Sequence, residues 1–82
     1  MTHPEVAELT ALRRVGDGEV TICAGGYVHG GRPITGELAQ ALVRLRAAGY
    51  LTVGARGPAG HRPVQITAAG AVRAAELGGR HG

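Results

Sequence analysis

Two hydrophobic periods alternate along the chain, and their alternation divides it into elements. Between Pro4 and Val15, the residues Val6, Leu9 and Leu12 recur in steps of three, which gathers them on one stripe of a helix. Thr2 and Glu5 stand in capping-box spacing before it, Pro4 suits the first turn, and Gly16 is placed to end it in a left-handed conformation. Arg13 and Arg14 fall in its last turn, where cations complement the helix dipole. The period then changes to two: Val20, Ile22 and Ala24 alternate with Glu19, Thr21 and Cys23, as in a half-buried strand. A strand or hairpin is therefore expected over 18–29, with Gly25-Gly26 as a two-residue turn and Tyr27 and Val28 on the return strand. The segment HGGRP that follows has too much Gly and Pro for a helix interior and is expected to be a loop.

Helical spacing returns at Leu38, Ala41, Leu42 and Leu45, which predicts a second helix over 35–48, with Thr35 as N-cap and Gly49 as its stop. Its far side carries Gly36, Gln40, Val43 and Ala47, flanked by Glu37 and Arg44 on one edge and by Ala39 and Arg46 on the other. That small-residue face either enters a groove of nucleic acid, with Gln40 and Arg44 available to base edges, or is lightly buried on both sides. A hairpin is expected over 50–66: Tyr50 to Val53, the loop GARGPAGH, and Arg62 to Ile66, with Leu51 and Val53 facing Val64 and Ile66. Thr67 is placed to cap a third helix over 67–77. Gly78-Gly79 are expected to end it, leaving a tail over 78–82. Together these elements make a single α+β domain over 1–82, with three main helices.

Charge adds a direction to this picture. Residues 1–31 carry two arginines against four acids, a net of −2, whereas residues 32–82 carry seven arginines against two acids, a net of +5. An asymmetric basic surface is the footprint expected of a polyanion partner. The use of Arg to the exclusion of Lys, beside much Ala and Gly, is also what a GC-rich genome would impose. The absence of Phe and Trp leaves a core of Leu, Val, Ile and Ala, with only two Tyr. Small side chains contribute less buried area each, so a chain of 82 residues would gain from association. A homodimer through the terminal helices is the candidate. One Cys forms no internal disulfide, no apolar run is long enough to span a membrane, and the first residues lack a signal-peptide pattern, so a cytoplasmic location is expected.

Catalytic chemistry has little to build on. His3, His29, His61 and His81 are scattered, Cys23 and His29 lack metal-ligand spacing, and no acids are paired on one face, so neither an enzyme nor a metal or other cofactor is expected. In a hairpin turning at Gly25-Gly26, Cys23 would oppose Val28 and His29 would oppose Ile22, which keeps the thiol from the imidazole. The spacing from Gly25 to Gly30-Gly31-Arg32 lacks the Lys-Ser/Thr pair of a phosphate-cradling loop.

The succession LVRLRAAGYLTV, a Gly-rich basic loop, RPVQITAAG and a short final helix resembles the recognition helix, wing and following helix of winged-helix regulators of the MarR and PadR kind. Leu42, Leu45, Gly49, Tyr50 and Leu51 match the end of the recognition helix, and Val64, Ile66, Thr67 and Gly70 match the exit from the wing. The resemblance covers about half of the chain. It implies a winged helix-turn-helix-like fold with a C-terminal β-hairpin wing, and a regulator that binds double-stranded DNA through a recognition helix in the major groove and a basic wing on the backbone or minor groove. By the same resemblance Thr35, Gln40 and Arg44 on the helix and Arg56, His61 and Arg62 on the wing are DNA contacts, to which Arg32 in the basic segment before the helix is added. The chain departs from the family between its first strand and second helix, where a supporting helix is usual. Either a very short helix lies near 24–29, or a hairpin replaces it, and in the second case a protein-interaction module using Val43, Ala47 and the last helix becomes the alternative.

Overall fold

The computed structural model describes residues 2–24, 26–57 and 60–81, with the side chains of 80 and 81 excepted. Helix α1, His3–Gly16, begins as expected: the Thr2 hydroxyl accepts from the Glu5 N–H while the Glu5 carboxylate accepts from the Thr2 N–H at 3.1 Å. Its end differs, because Gly16 stays helical and Gly18 takes the positive φ instead. Its buried face differs too. Leu9, Ala11, Leu12 and Val15 are buried, whereas Val6 is 47% exposed. The cause is that α1 packs against more than one element, which widens its buried face and turns the first apolar position outward.

The middle segment is all strand. β1, Val20–Cys23, pairs antiparallel with β2, Gly26–His29, in the register Cys23 to Gly26, Ile22 to Tyr27 and Val20 to His29. The expected turn is therefore displaced. Gly26 belongs to the ladder, residues 24 and 25 connect the strands, and Gly25 lies outside the described residues. Cys23 faces Gly26 rather than Val28, and His29 faces Val20 rather than Ile22, so thiol and imidazole sit at opposite ends of the hairpin. The expected loop over 29–33 is a second tight hairpin: Gly30 and Gly31, with φ of 57° and 82°, turn β2 into β3, Arg32–Pro33, paired as His29 to Arg32 and Val28 to Pro33. Two consecutive positive-φ residues are what a type I′ turn demands, and glycine supplies them without steric cost. No helix forms over 26–33.

Helix α2, Gly36–Ala47, follows, with Thr35 in extended N-cap geometry but without a side-chain capping bond. Ala41, Leu42 and Leu45 are buried and Leu38 is partly so, as the spacing predicts. The helix closes in a Schellman arrangement: Tyr50 N–H donates to the Leu45 carbonyl at 2.9 Å and Gly49 N–H to the Arg46 carbonyl at 3.1 Å. The chain then enters β4, Leu51–Val53, and returns as β5, Arg62–Ile66, pairing Leu51 with Ile66 and Val53 with Val64 as the alternation requires. β1 joins the other edge of β5 only at its start, through Thr21 to Pro63 and Ile22 to Arg62. The result is a five-stranded antiparallel sheet in the order β3-β2-β1-β5-β4, with three helices around it.

Helix α3, Ala68–His81, runs past Gly78 and Gly79, where it was expected to end. Glycine weakens a helix interior by about 1 kcal/mol without forbidding it, and the fully buried Leu77 anchors that turn in the core. At its start, Thr67 Oγ1 accepts from Gly70 N–H at 3.0 Å and donates to the Gly49 carbonyl at 2.8 Å, while Thr67 N–H donates to the Tyr50 carbonyl at 3.0 Å. A Cβ on Gly70 would overlap that Tyr50 carbonyl and stand 2.8 Å from Ile66 Cγ1. The α3 turn carrying Gly70 is thus pressed directly on the backbone that leaves α2.

This packing yields a paired prediction in helix α3. Gly70→Ala forces backbone apart and should cost about 1–3 kcal/mol or more. Gly79→Ala meets nothing within 4 Å and should stabilise by roughly 0.5–1 kcal/mol. Thermal denaturation followed by circular dichroism should move the two midpoints in opposite directions.

Candidate nucleic-acid interface

The chain's cations are sorted by which strand or helix carries them. Because β1 meets only the start of β5, its end is drawn beside the β4–β5 loop, and Ile22 and Cys23 become the wall of a groove of about 500 Å³. The opposite wall is Val53, Arg56, His61 and Arg62, and Arg46 of α2 closes one side. Three guanidinium groups and one imidazole thus line a groove that contains no acid. Two of them are held in place. Arg62 Nε donates to the Gly54 carbonyl at 2.9 Å, and His61 Nδ1 lies 3.3 Å from Thr21 Oγ1. The loop itself is narrowed by Gly57 N–H donating to the His61 carbonyl at 2.6 Å.

Among the described residues, no carboxylate lies within 4.0 Å of Arg46, Arg56 or Arg62. The ion pairs that do form are elsewhere: His3 with Glu37 at 2.6 Å, His29 with Glu19 at 3.2 Å, and Arg73 with Glu8 at 3.3 Å and Glu76 at 3.8 Å. Four of the six acids are thus engaged away from the groove lining, and Glu8 with Arg73 ties α1 to α3.

The seven residues singled out as DNA contacts do not form one cluster. Arg56, His61 and Arg62 come together in the groove. Gln40 and Arg44 lie on the opposite edge of α2, facing His3, Pro4 and Ala7 of α1, with Glu37 between them and the His3 imidazole. Arg32 and Thr35 form a third group at the start of α2, in a concavity shared with Arg14, His29 and Leu38. The α2 residue that joins the β4–β5 loop cations is Arg46, which the helical pattern places on an edge but which cannot be assigned to the hairpin side until the strand pairing is known. Val43 joins the two edges of α2: it is 57% exposed, borders Gln40 and Arg44 on one side, and borders Arg46, Tyr27 and Ile22 on the other.

The chain matches no family model, no curated protein and no solved structure. The reading of this surface therefore rests on its own geometry. No helix among the described residues is long and apolar enough to cross a membrane, and no three His, Cys, Asp or Glu side chains gather there in a way that could hold a metal ion.

If the groove arginines carry no structural load, Arg46→Ala and Arg56→Ala should each leave stability within about 0.5 kcal/mol, as surface changes do. Glu8→Ala, which leaves the largely buried Arg73 guanidinium with only its longer contact to Glu76, should cost about 1–3 kcal/mol. Chemical denaturation of the three variants checks both.

Proposed function

We propose that this protein is a small duplex-DNA-binding regulator of winged-helix type, with α2 presented to a major groove and the β4–β5 hairpin serving as a basic wing. The observation that carries the reading is the acid-free convergence of Arg46, Arg56, His61 and Arg62 beside the exposed face of α2. A groove of unpaired guanidinium groups beside a helix of small residues suits a partner with regularly spaced negative charge and little tolerance for bulk. The sequence of α1, β1, α2, the β4–β5 hairpin and α3, with β1 and β4 on either side of β5, supports the same reading. A hairpin occupies the place of the usual supporting helix. Arg46 and the wing cations are assigned to the backbone, and Gln40 and Arg44 to base edges. A homodimer through the terminal helices is part of the proposal, supported by the exposure of Val6 on α1 and Val72 on α3.

A second reading is supported by Val43, whose exposure on the face of α2 is unusual for a surface meant only for phosphate and base edges. In it, Val43 and Ala47 would dock on another protein. Val43→Asp separates the two readings less well than a nucleic-acid titration does.

Binding to duplex DNA should weaken with salt, with a slope of about −0.9 for each phosphate neutralised. Arg56→Ala and Arg62→Ala should lower affinity for all sequences alike, whereas Gln40→Ala and Arg44→Ala should alter sequence preference by about 1–3 kcal/mol at the affected base pair. Fluorescence anisotropy with random and selected duplexes checks this. A native protein that shows no salt-sensitive binding at low ionic strength is not a DNA-binding protein.

A further inference from the structure

The chain carries a second acid-free cationic concavity, and it lies at the other end of α2. It is formed where three elements meet: the last turn of α1 contributes Arg14, the β2–β3 turn contributes His29 and Arg32, and the lead into α2 contributes Thr35. Arg14 and Arg32 are exposed, and among the described residues neither has a carboxylate within 4.0 Å. Glu19 is engaged with His29, and the first-turn acid of α2, Glu37, is engaged with His3. Arg14 is accounted for locally as a charge complement to the α1 dipole, yet that role needs no partner from β3. The tight Gly30-Gly31 turn supplies one. It carries Arg32 back along β2 and, through the Ile34 N–H bond to the Tyr27 carbonyl at 2.9 Å, fixes the concavity against the start of α2.

The two concavities are related by the length of the helix between them. Thr35 and Arg46 are separated by eleven residues, about 16 Å along a helix axis, and a B-DNA major groove is about 12 Å wide. A helix of that length is enough to span such a groove, and the structure carries arginines at both of its ends. We propose that Arg14 and Arg32 form a second backbone clamp, so that α2 lies across a major groove held on phosphates at both of its ends, with the β2–β3 hairpin doing at one end what the wing does at the other. This inference rests on the DNA-binding reading above and adds to it the orientation of α2 and the backbone contacts of the hairpin.

The test compares two double variants with the native protein on one duplex. Arg14→Ala/Arg32→Ala and Arg46→Ala/Arg56→Ala should each flatten the dependence of log K on log salt by about 1.8, two contacts' worth. Phosphate-ethylation interference with the native protein should reveal two sets of sensitive phosphates flanking one major groove, and each double variant should lose one set. Unchanged melting midpoints establish that both variants are folded, and the interference pattern of the native protein stands independently of them. If Arg14→Ala/Arg32→Ala keeps the native slope and only one flank of the groove is sensitive, the second clamp is wrong while wing-mediated binding stands. If the native protein shows no salt-dependent binding, the DNA-binding reading itself falls.

Discussion

The structure depends on one close approach of backbone to backbone. The carbonyl of Tyr50, the residue whose N–H closes the Schellman turn of α2, accepts the Thr67 N–H, and Gly70 sits against it with no room for a side chain. The hydroxyl of Thr67 reaches the neighbouring Gly49 carbonyl and accepts from Gly70 N–H, so four residues from the end of α2 and the start of α3 satisfy one another's polar groups. The chain has no Phe or Trp, so few large rings are available to lock elements together. Small residues at the seam compensate by letting the chains approach until hydrogen bonds fix their relation. Because β4 begins at this seam and β5 ends at it, the angle between α2 and the β4–β5 hairpin is set there, and with it the distance between Arg46 and the loop arginines.

A second constraint acts from the opposite side of α2. Tyr27, the one aromatic side chain buried in the core among the described residues, belongs to β2, and its backbone carbonyl holds Ile34 at the entrance of the helix. A strand can support a helix in this way because its backbone groups remain available to a neighbour, whereas those of a supporting helix are consumed internally. The cost is that the hairpin must turn sharply before α2 begins, which is why two consecutive glycines stand at 30 and 31. With α1 along one edge, the hairpin along the other and the core beneath, α2 has one face left for solvent, the one carrying Gly36, Gln40, Val43 and Ala47.

The sequence was most legible where one helix or one strand pair decided the outcome. The capping box at Thr2 and Glu5, the stripe of α2 and the pairing of Leu51 with Ile66 are local or nearest-neighbour facts, and each is written in residue spacing. Val6 departs from its stripe because a stripe fixes which residues share a face but not how wide that face becomes when two elements pack on it. The hairpin register departs from the spacing because both Gly25-Gly26 and Gly30-Gly31 are turn signals, and only pairing with a third strand decides where each turn falls. The same limit applied to the site. The basic character of the β4–β5 loop can be read directly, but its partner on α2 cannot, since Arg44 and Arg46 differ by two residues and therefore by about 200° around the helix. Which of them meets that loop depends on β1 pairing with the start of β5, as in Ile22 with Arg62, far apart in sequence.

The sorting of acids follows from the same arrangement and explains how a chain with a formal charge of only +3 can hold two cationic concavities. Four of the six acids lie in the first nineteen residues, on α1 and the segment leading to β1, and Glu8 there is drawn into the contact with α3 by Arg73. Glu19 of that group faces His29, and of the two later acids Glu37 faces His3 and Glu76 faces Arg73. Exposed pairs of this kind add little to stability, so their value lies in where they leave the uncompensated charge. Arg46, Arg56 and Arg62 at one end of α2 and Arg14 and Arg32 at the other are thereby left without a carboxylate within 4.0 Å among the described residues, with a face of small side chains between them.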